Sequence, residues 1–351
     1  MLTPSPESQS VTLGVDIGGA NLKYADTAGR ASSVEFPLWM RPDDLAGQLQ
    51  SDFARYPDVA QLVVTMTGEL ADCFLDRGAG VQHIVDQVCR AAKRCEWPAP
   101  SFYAVDGRFH SADWAIQNVD LVAASNWHAL ANLVAKRFAP QLASGGLLVD
   151  IGSTTTDLIP LRAGSIATNS RTDFDRLAEG SLVYLGGGRT PVCSLVDHLD
   201  LDGRAVPVMR EVFATMDDVR LLLGFQPGDA SDCRTADGKP RDSFHAANRI
   251  ARMIGLDHRT FATETAMELA VQVHQRGRDL VRAAIEALGS EGPLIVSGHC
   301  GDLLPDNALG REIISLPETL GDQVSRCAPA YAMAKLFAQD RRQARRVSRR
   351  R

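Results

Sequence analysis

No apolar run in these 351 residues is long enough to cross a bilayer, so no membrane span is expected. The opening MLTPSPESQS has neither a positive segment nor an apolar one, which predicts a disordered start and no export signal. The seven cysteines are odd in number and are never spaced C-x-x-C. That argues against a disulfide framework and a structural zinc site, and for reduced thiols in a cytoplasmic protein. A positive excess is lacking too: the net charge is −6, which leaves no global field for nucleic acid. The exception is the tail RRQARRVSRRR, with seven arginines. It reads as a solvated helix end, with weak contact to acidic partners as the other reading.

What the chain does contain is ordinary for a globular protein, with 45% hydrophobic and 23% charged residues. Its length suits two core-forming lobes. The runs VTLGVDI, QLVVTMT, SFYAVD, GGLLVDI and GPLIVSG read as strands. Between them lie amphipathic stretches. GVQHIVDQVCRAAKRC places Val81, Ile84, Val88 and Ala92 on one helical face, and SNWHALANLVAKRFA opens with a Ser/Asn cap. Strands alternating with such helices describe an α/β fold with largely parallel sheets. RFAPQLASGG is the expected lobe boundary, and residues 165 to 245 are expected to be polar and irregular. APAYAMAKLFAQDRRQARR reads as a small-residue helix that packs back on the first lobe.

One feature occurs twice. LGVDIGGANLKYADTAGR (13–30) and LLVDIGSTTTDLIPLRAG (147–164) are both apolar strands running into Asp, a glycine turn and a second apolar run. Glycine lets backbone N–H groups approach an anion closely, here at Gly18, Gly19 and Gly152. Asn21, Ser153, Thr154 and Thr155 add polar side chains, and Lys23 adds a point charge. A carboxylate beside a phosphate makes sense only with a cation or water between them. Asp16 and Asp150 are therefore expected to hold Mg²⁺, which takes few carboxylates plus phosphate oxygens and waters. Two hairpins facing across a cleft would hold a diphosphate from both sides. The plain alternative is a pair of ordinary strand corners.

These motifs resemble the two phosphate motifs of the actin, Hsp70 and sugar-kinase superfamily, and within it the hydantoinase A/oxoprolinase family. DIGGANLKYA, VVTMTGELADCF, FYAVDG, AASNWHALA, LLVDIGSTTTDLIPL and LGGGRTPV, spanning residues 13 to about 192, carry the likeness. They are most similar to a branch tied to tetrahydromethanopterin-linked one-carbon transfer and methanofuran biosynthesis. The resemblance implies a two-lobed actin-like (ribonuclease H-like) α/β fold, with lobes at 1–143 and 144–324 and a returning helix plus basic tail at 325–351. It also implies a transferase that joins a furfuryl carbon to a phenol oxygen and releases diphosphate, with small-molecule diphosphate and phenolic substrates. No nucleic acid or membrane partner is implied, and a homo-oligomer is left open.

For that chemistry Asp16, Asp150, Glu69 and Asp157 are the expected catalytic carboxylates. Asp72, Asp173 and Arg189 are the expected substrate contacts, Arg189 as a clamp on phosphate or carboxylate. Glu69 and Asp72, in MTGELAD, have a second reading as acidic residues favouring a helix N-terminus. Gly186 to Gly188, in LGGGRTPV, either admit a close ligand or form a surface loop. Trp127 and His128 read as packing. SGHCGDLL stands where related kinases carry an adenosine-binding turn, but Cys300 and His299 interrupt its glycines, so ATP is not expected. The competing functions are an ATP-dependent hydantoinase/oxoprolinase-type hydrolase, a small-molecule kinase, or a nucleotide-responsive scaffold.

Overall fold

The computed structural model describes residues 11–348. The leader expected at 1–10 and the last three arginines of the tail lie outside the described residues. The chain opens with β1 (Val11–Ile17), β2 (Asn21–Asp26), β3 (Ala31–Glu35), α1 (Leu45–Phe53), β4 (Val59–Met66) and α2 (Arg77–Arg94). Next come β5 (Ser101–Tyr103), β6 (Phe109–His110), α3 (Ala112–Gln117), α4 (Val119–Val122) and α5 (Asn126–Arg137). The middle holds β7 (Gly146–Ile151), β8 (Thr156–Arg162), β9 (Ser165–Ile166), α6 (Asp173–Glu179) and β10 (Leu182–Val183). A β11 (His198–Leu201) and β12 (Arg204–Pro207) hairpin leads to α7 (Met216–Leu222), α8 (Ser243–Arg252) and α9 (Thr263–Ala287). The chain closes with β13 (Leu294–Gly298), β14 (Ile313–Ser315), α10 (Leu316–Leu320), α11 (Asp322–Arg326) and α12 (Ala328–Ser348). The region expected to be irregular thus carries regular elements, though those before α8 are short.

Two compact units result. The first holds the described residues up to Gly145, Leu161–Arg176, and those from Ser315 on; the second holds Gly146–Pro160 and Leu177–Ile314. In the first, the sheet order is β3-β2-β1-β4-β5-β6, with β1 antiparallel to β2 and parallel to β4. In the second it is β10-β8-β7-β13-β14, with β7 parallel to β13. Each sheet therefore opens with an acidic hairpin and sets a parallel strand beside its first arm. No helix among the described residues is long and apolar enough to cross a membrane.

The helices lie where their apolar faces require. In α2, Val81, Ile84, Val88 and Ala92 are all buried, and each large aliphatic side chain so buried stabilises by about 1.5–3 kcal/mol. Asp76 caps this helix by accepting from the Ala79 N–H at 2.8 Å, and Lys93 and Arg94 sit at its negative end. The expected Ser cap of α5 is not made. Ser125 stands at the right position, but its hydroxyl donates to the Tyr103 carbonyl at 3.0 Å and contacts the Thr65 hydroxyl at 2.8 Å. Ser125 is buried, so satisfying it against β4 and β5 takes precedence over capping.

Helix α12 packs on β1, β2, β4 and α5 within the first unit. Ala328, Ala330, Ala332, Met333, Ala334 and Leu336 of this helix are buried, and the small alanines let its backbone approach the sheet. At the closest point a Cβ on Gly14 would lie 1.9 Å from the Ala330 carbonyl oxygen. Replacing Gly14 with Ala must push helix and sheet apart. Gly14→Ala is expected to cost about 1–3 kcal/mol, read from denaturant midpoints. Gly47→Ala, in α1 where a Cβ meets open space, is expected to add about 0.5–1 kcal/mol instead. Equal effects of the two substitutions would refute the close approach.

Candidate active site

The two hairpins are built alike to the hydrogen bond. Gly18 N–H donates to the Asn21 carbonyl at 2.9 Å, and Gly152 N–H donates to the Thr155 carbonyl at 2.9 Å. A Cβ at Gly18 would stand 2.8 Å from the Asn21 oxygen, so the turn itself demands glycine there. Gly19 has open space where its Cβ would be, which is room for a ligand rather than for packing. The doubling continues into the neighbouring strand. Asp16 lies beside Thr65 in β4, and Asp150 lies beside Ser297 in β13. The carbonyl of Ile17 accepts from the Thr67 N–H at 2.8 Å, and that of Ile151 accepts from the His299 N–H at 3.2 Å. TGE after β4 and HCG after β13 are thus equivalent turns, a repeat that the residues alone disguise.

Within the first unit this register sets the end of β1, with Asp16 and Gly18, beside the turn that leads to Glu69, while Asn21 and Lys23 lie on the other arm of the hairpin. Asp16 is 4% exposed and stands opposite Lys23 in the ladder. Within the second, Asp150, Gly152, Ser153, Thr154 and Thr155 are half-buried at the hairpin. Asp157 sits on β8 in register with Leu182, on the strand rather than in the turn. Asp72 is exposed, three residues beyond Glu69. Asp173 opens α6 in the first unit, whereas Arg189 belongs to the second, so these two expected substrate contacts fall in different units.

Glu69 does not lie on a helix, since α2 starts at Arg77; the helix-terminus reading fails. Its side chain is 1% exposed. Burial raises its pKa to about 7, and Asp173 adds to the rise. Its own N–H, the Arg77 charge and the N–H of Ala124 pull the other way and are outweighed. One carboxylate oxygen, Oε2, has no hydrogen-bond partner among the described residues. The Ala124 donor comes from strained backbone, with φ at 47°, a region alanine rarely enters. Gly80 completes the seat: a Cβ there would fall 2.0 Å from the Glu69 carbonyl oxygen, so α2 approaches only because that residue is glycine.

Around this carboxyl, Asp173 pairs with Arg176 at 3.4 Å, and the Arg176 guanidinium lies 4.4 Å from the centre of the Trp127 ring. Trp127 is buried, and its Nε1 has no hydrogen-bond partner among the described residues. It therefore supplies a platform for Arg176 as well as packing. His128 is a structural residue: its Nδ1 meets the Tyr103 hydroxyl at 3.0 Å, and burial drops its pKa to about 4.

In the second unit the glycine run serves the hairpin. Gly187 N–H donates to the Gly152 carbonyl at 3.0 Å, and Gly188 and Arg189 N–H groups donate to that of Ser153 at 3.0 and 2.8 Å. A Cβ at Gly186 would sit 2.3 Å from the Thr154 nitrogen, and one at Gly187 would sit 2.3 Å from the Cys300 sulfur. The run is not a loose loop; it packs under the second hairpin. Cys300 is buried beside it, its thiol pushed up to about 11 by burial, which makes it an inert packing group. The SGHCGDLL turn borders an open cavity of about 550 Å³, also lined by Phe225, His274 and Arg278. The polar groups there are paired, His274 with Asp302 and Arg278 with Asp306.

Among the described residues no group of three or more His, Cys, Asp or Glu side chains could hold a metal ion. A single carboxylate at each strand end fits only a cation whose other ligands are phosphate oxygens and water, the coordination Mg²⁺ prefers.

Residues 61–339 match the hydantoinase/oxoprolinase family model. The chain belongs to this family. A curated member from Methanocaldococcus jannaschii, named (4-{4-[2-(gamma-L-glutamylamino)ethyl]phenoxymethyl}furan-2-yl)methanamine synthase, is 32% identical over 333 residues, covering 93% of this chain and 97% of its own. A Methanococcus vannielii protein of the same name is 30% identical over 201 residues, covering 54% of this chain and 90% of its own. Among solved structures, nucleotide-free acetone carboxylase superposes with a TM-score of 0.54 at 11% identity, over 93% of this chain and 70% of that one. The fold is the two-lobed actin-like α/β fold that the doubled hairpin implied.

Family motifs in the sequence point to AASNWHALA, where Trp127 and His128 read as packing and Ser125 as a cap, and Ala124 has no assigned role. Ala124 and Trp127 act through backbone strain and a buried N–H, neither of which leaves a mark in residue type. Glu69 has a measurable signature. Its raised pKa means that the folded protein holds the proton more tightly than the unfolded chain. The associated stability is full below the unfolded value near 4.5 and is lost as pH rises through about 7. Glu69→Gln, which never ionises, is therefore expected to be more stable than the unaltered protein at pH 8, by on the order of 2–3 kcal/mol. The gap should close towards pH 5. A difference in melting temperature that does not change with pH would contradict the buried, uncharged carboxyl.

Proposed function

We propose that this protein is a transferase of methanofuran-type cofactor synthesis, joining an aminomethylfuran-methyl diphosphate to a phenol and releasing diphosphate. The observation that carries the proposal is the 32% identity to the synthase from M. jannaschii along 93% of this chain. That synthase's name describes a furan methanamine bearing a phenoxymethyl arm, an ether between a phenol oxygen and a furfuryl carbon. The acceptor proposed here is a glutamyl-tyramine or tyrosine phenol, and the product a carrier for tetrahydromethanopterin-linked one-carbon transfer.

The residues fit the steps. A phenol ordinarily ionises near pH 10, so it needs a base. Glu69, with its pKa about 7 and an oxygen lacking a partner, is poised to take the phenolic proton. The phenol oxygen then forms its bond to the furfuryl carbon while the bond from that carbon to diphosphate breaks. Negative charge grows on the leaving oxygens. Donors at Gly19–Asn21 in the first unit and at Ser153–Thr155 in the second are each proposed to receive such charge, which would lower the barrier rather than only tighten binding. Lys23 adds a positive charge. Asp16 in the first unit and Asp150 in the second are each a candidate carboxylate ligand for Mg²⁺ carried by the diphosphate, which would neutralise the leaving group. Asp173 with Arg176 holds the surroundings of Glu69, and exposed Asp72 and Arg189 are proposed to meet the substrate's charged tails.

Incubation with the furan diphosphate and candidate phenols tests this directly. One diphosphate should appear per ether formed, at a rate unaffected by ATP and dependent on Mg²⁺. ADP and orthophosphate in step with product, without diphosphate, would establish the ATP-dependent alternative instead. Asp16→Asn and Asp150→Asn should each lower turnover by about 10²-fold or more with the fold intact by circular dichroism. Near-normal turnover of either at limiting Mg²⁺ would remove that residue from the metal site.

A further inference from the structure

Arg220 is an arginine on a helix, in the segment MDDVRLLLG, with nothing in its sequence to set it apart. In the fold its side chain is 3% exposed. Its Nε and Nη2 grip Asp302, with contacts of 2.9 Å to Oδ2 and 2.8 Å to Oδ1. The remaining donors go to backbone. Nη1 donates to the Gly187 carbonyl at 3.2 Å, and Nη2 donates to the His299 carbonyl at 3.3 Å. Gln226 takes a further bond from Nη1 at 3.2 Å and donates in turn to Asp217, whose N–H donates to the Gly188 carbonyl.

Those carbonyls are not arbitrary. Gly187 belongs to the glycine run whose N–H groups hold Gly152 and Ser153, and His299 belongs to the turn whose N–H holds Ile151. The phosphate hairpin is thus gripped on one flank by the glycine run and on the other by the β13 turn. Arg220 ties these two supports together. Gly187 is glycine partly for this reason, since a Cβ there would stand 2.9 Å from Arg220 Nη1. Asp302 is itself fixed by His274, whose Nε2 lies 3.1 Å from Oδ2. Burial opposes the Asp302 charge, but the hydrogen bonds from His274 and Arg220 outweigh it and hold its pKa below the usual carboxylate range.

We propose that Arg220, anchored by Asp302 and His274, is the positioning residue of the second phosphate hairpin: it sets the spacing of the two supports and so the preorganisation of the Gly152–Thr155 donors for diphosphate. The inference rests on the diphosphate reading above. A planar fork is needed, because only a guanidinium can serve a carboxylate and two separate carbonyls at once; the point charge of lysine cannot.

The probe is inorganic diphosphate with Mg²⁺, titrated calorimetrically into the full-length protein. Arg220→Lys should weaken diphosphate binding at least tenfold. It should also raise KM for the furan diphosphate more than it lowers kcat. Because Arg220→Lys leaves Asp302 underpaired and can unfold the unit, the double variant Arg220→Met with Asp302→Leu removes both charges together, a replacement that buried ion pairs often tolerate. That variant should keep its melting temperature within a few degrees yet lose diphosphate affinity by the same tenfold or more. Diphosphate affinity within twofold of the unaltered protein, in either folded variant, overturns the inference and leaves the function standing. Failure of the unaltered protein to bind diphosphate overturns both.

Discussion

The carbonyl at the end of each first strand is the contact on which both halves of the molecule depend. Ile17 and Ile151 finish an apolar strand, and their carbonyls have no partner left in the hairpin direction. Each instead accepts from the turn that follows the neighbouring parallel strand, Thr67 and Gly68 in one unit and His299 in the other. A backbone group buried at a sheet end must be paired, so this bond is obligatory rather than decorative. It fixes the distance between an acidic hairpin and a second loop, the first carrying Asp16 or Asp150 and the second Glu69 or Cys300.

From that shared frame the two units diverge through side chains alone. After β4 the loop carries Glu69 into a place closed by Gly80 and by the strained Ala124 N–H. After β13 the equivalent loop carries Cys300, a thiol held neutral by burial, and its neighbours are drawn to Arg220. One loop buries a carboxyl with a raised pKa, while the other packs a neutral thiol against the glycine run.

Much of this was legible before any coordinates. The five strand runs and the face of α2 follow from hydrophobic period, and the twin D-I-G segments follow from turn chemistry. Packing of APAYAMAKLFAQD on the first unit was legible in its alanines, because only small side chains permit a helix to touch a sheet. Side chains whose importance comes from tertiary context were not legible. Ser125 read as a cap because its type and position suit one, but burial gave its hydroxyl a different partner. The glycines of LGGGRTPV read as room for a ligand, and are instead room for Cys300, Arg220 and the hairpin backbone. Nothing in the sequence singles out Arg220, since a five-donor hub is defined by its acceptors and these come from segments about 33, 79 and 82 residues away.

The environment of Glu69 shows why such a site is held by strain and close packing rather than by strong pairs. A full salt bridge from Arg77 would satisfy the carboxylate, lower its pKa and destroy its capacity to accept a proton near neutrality. Leaving it wholly unsolvated would raise the pKa too far for it to ionise at all. The structure sits between these limits: the Ala124 N–H, its own N–H and the charge of Arg77 each lower the pKa, and burial with Asp173 outweighs them. That balance is lost if the carboxyl can move to a better partner. Alanine at positive φ and glycine at 80 are the means by which it is held in place, the first costing some stability to keep a side chain where it is least at ease.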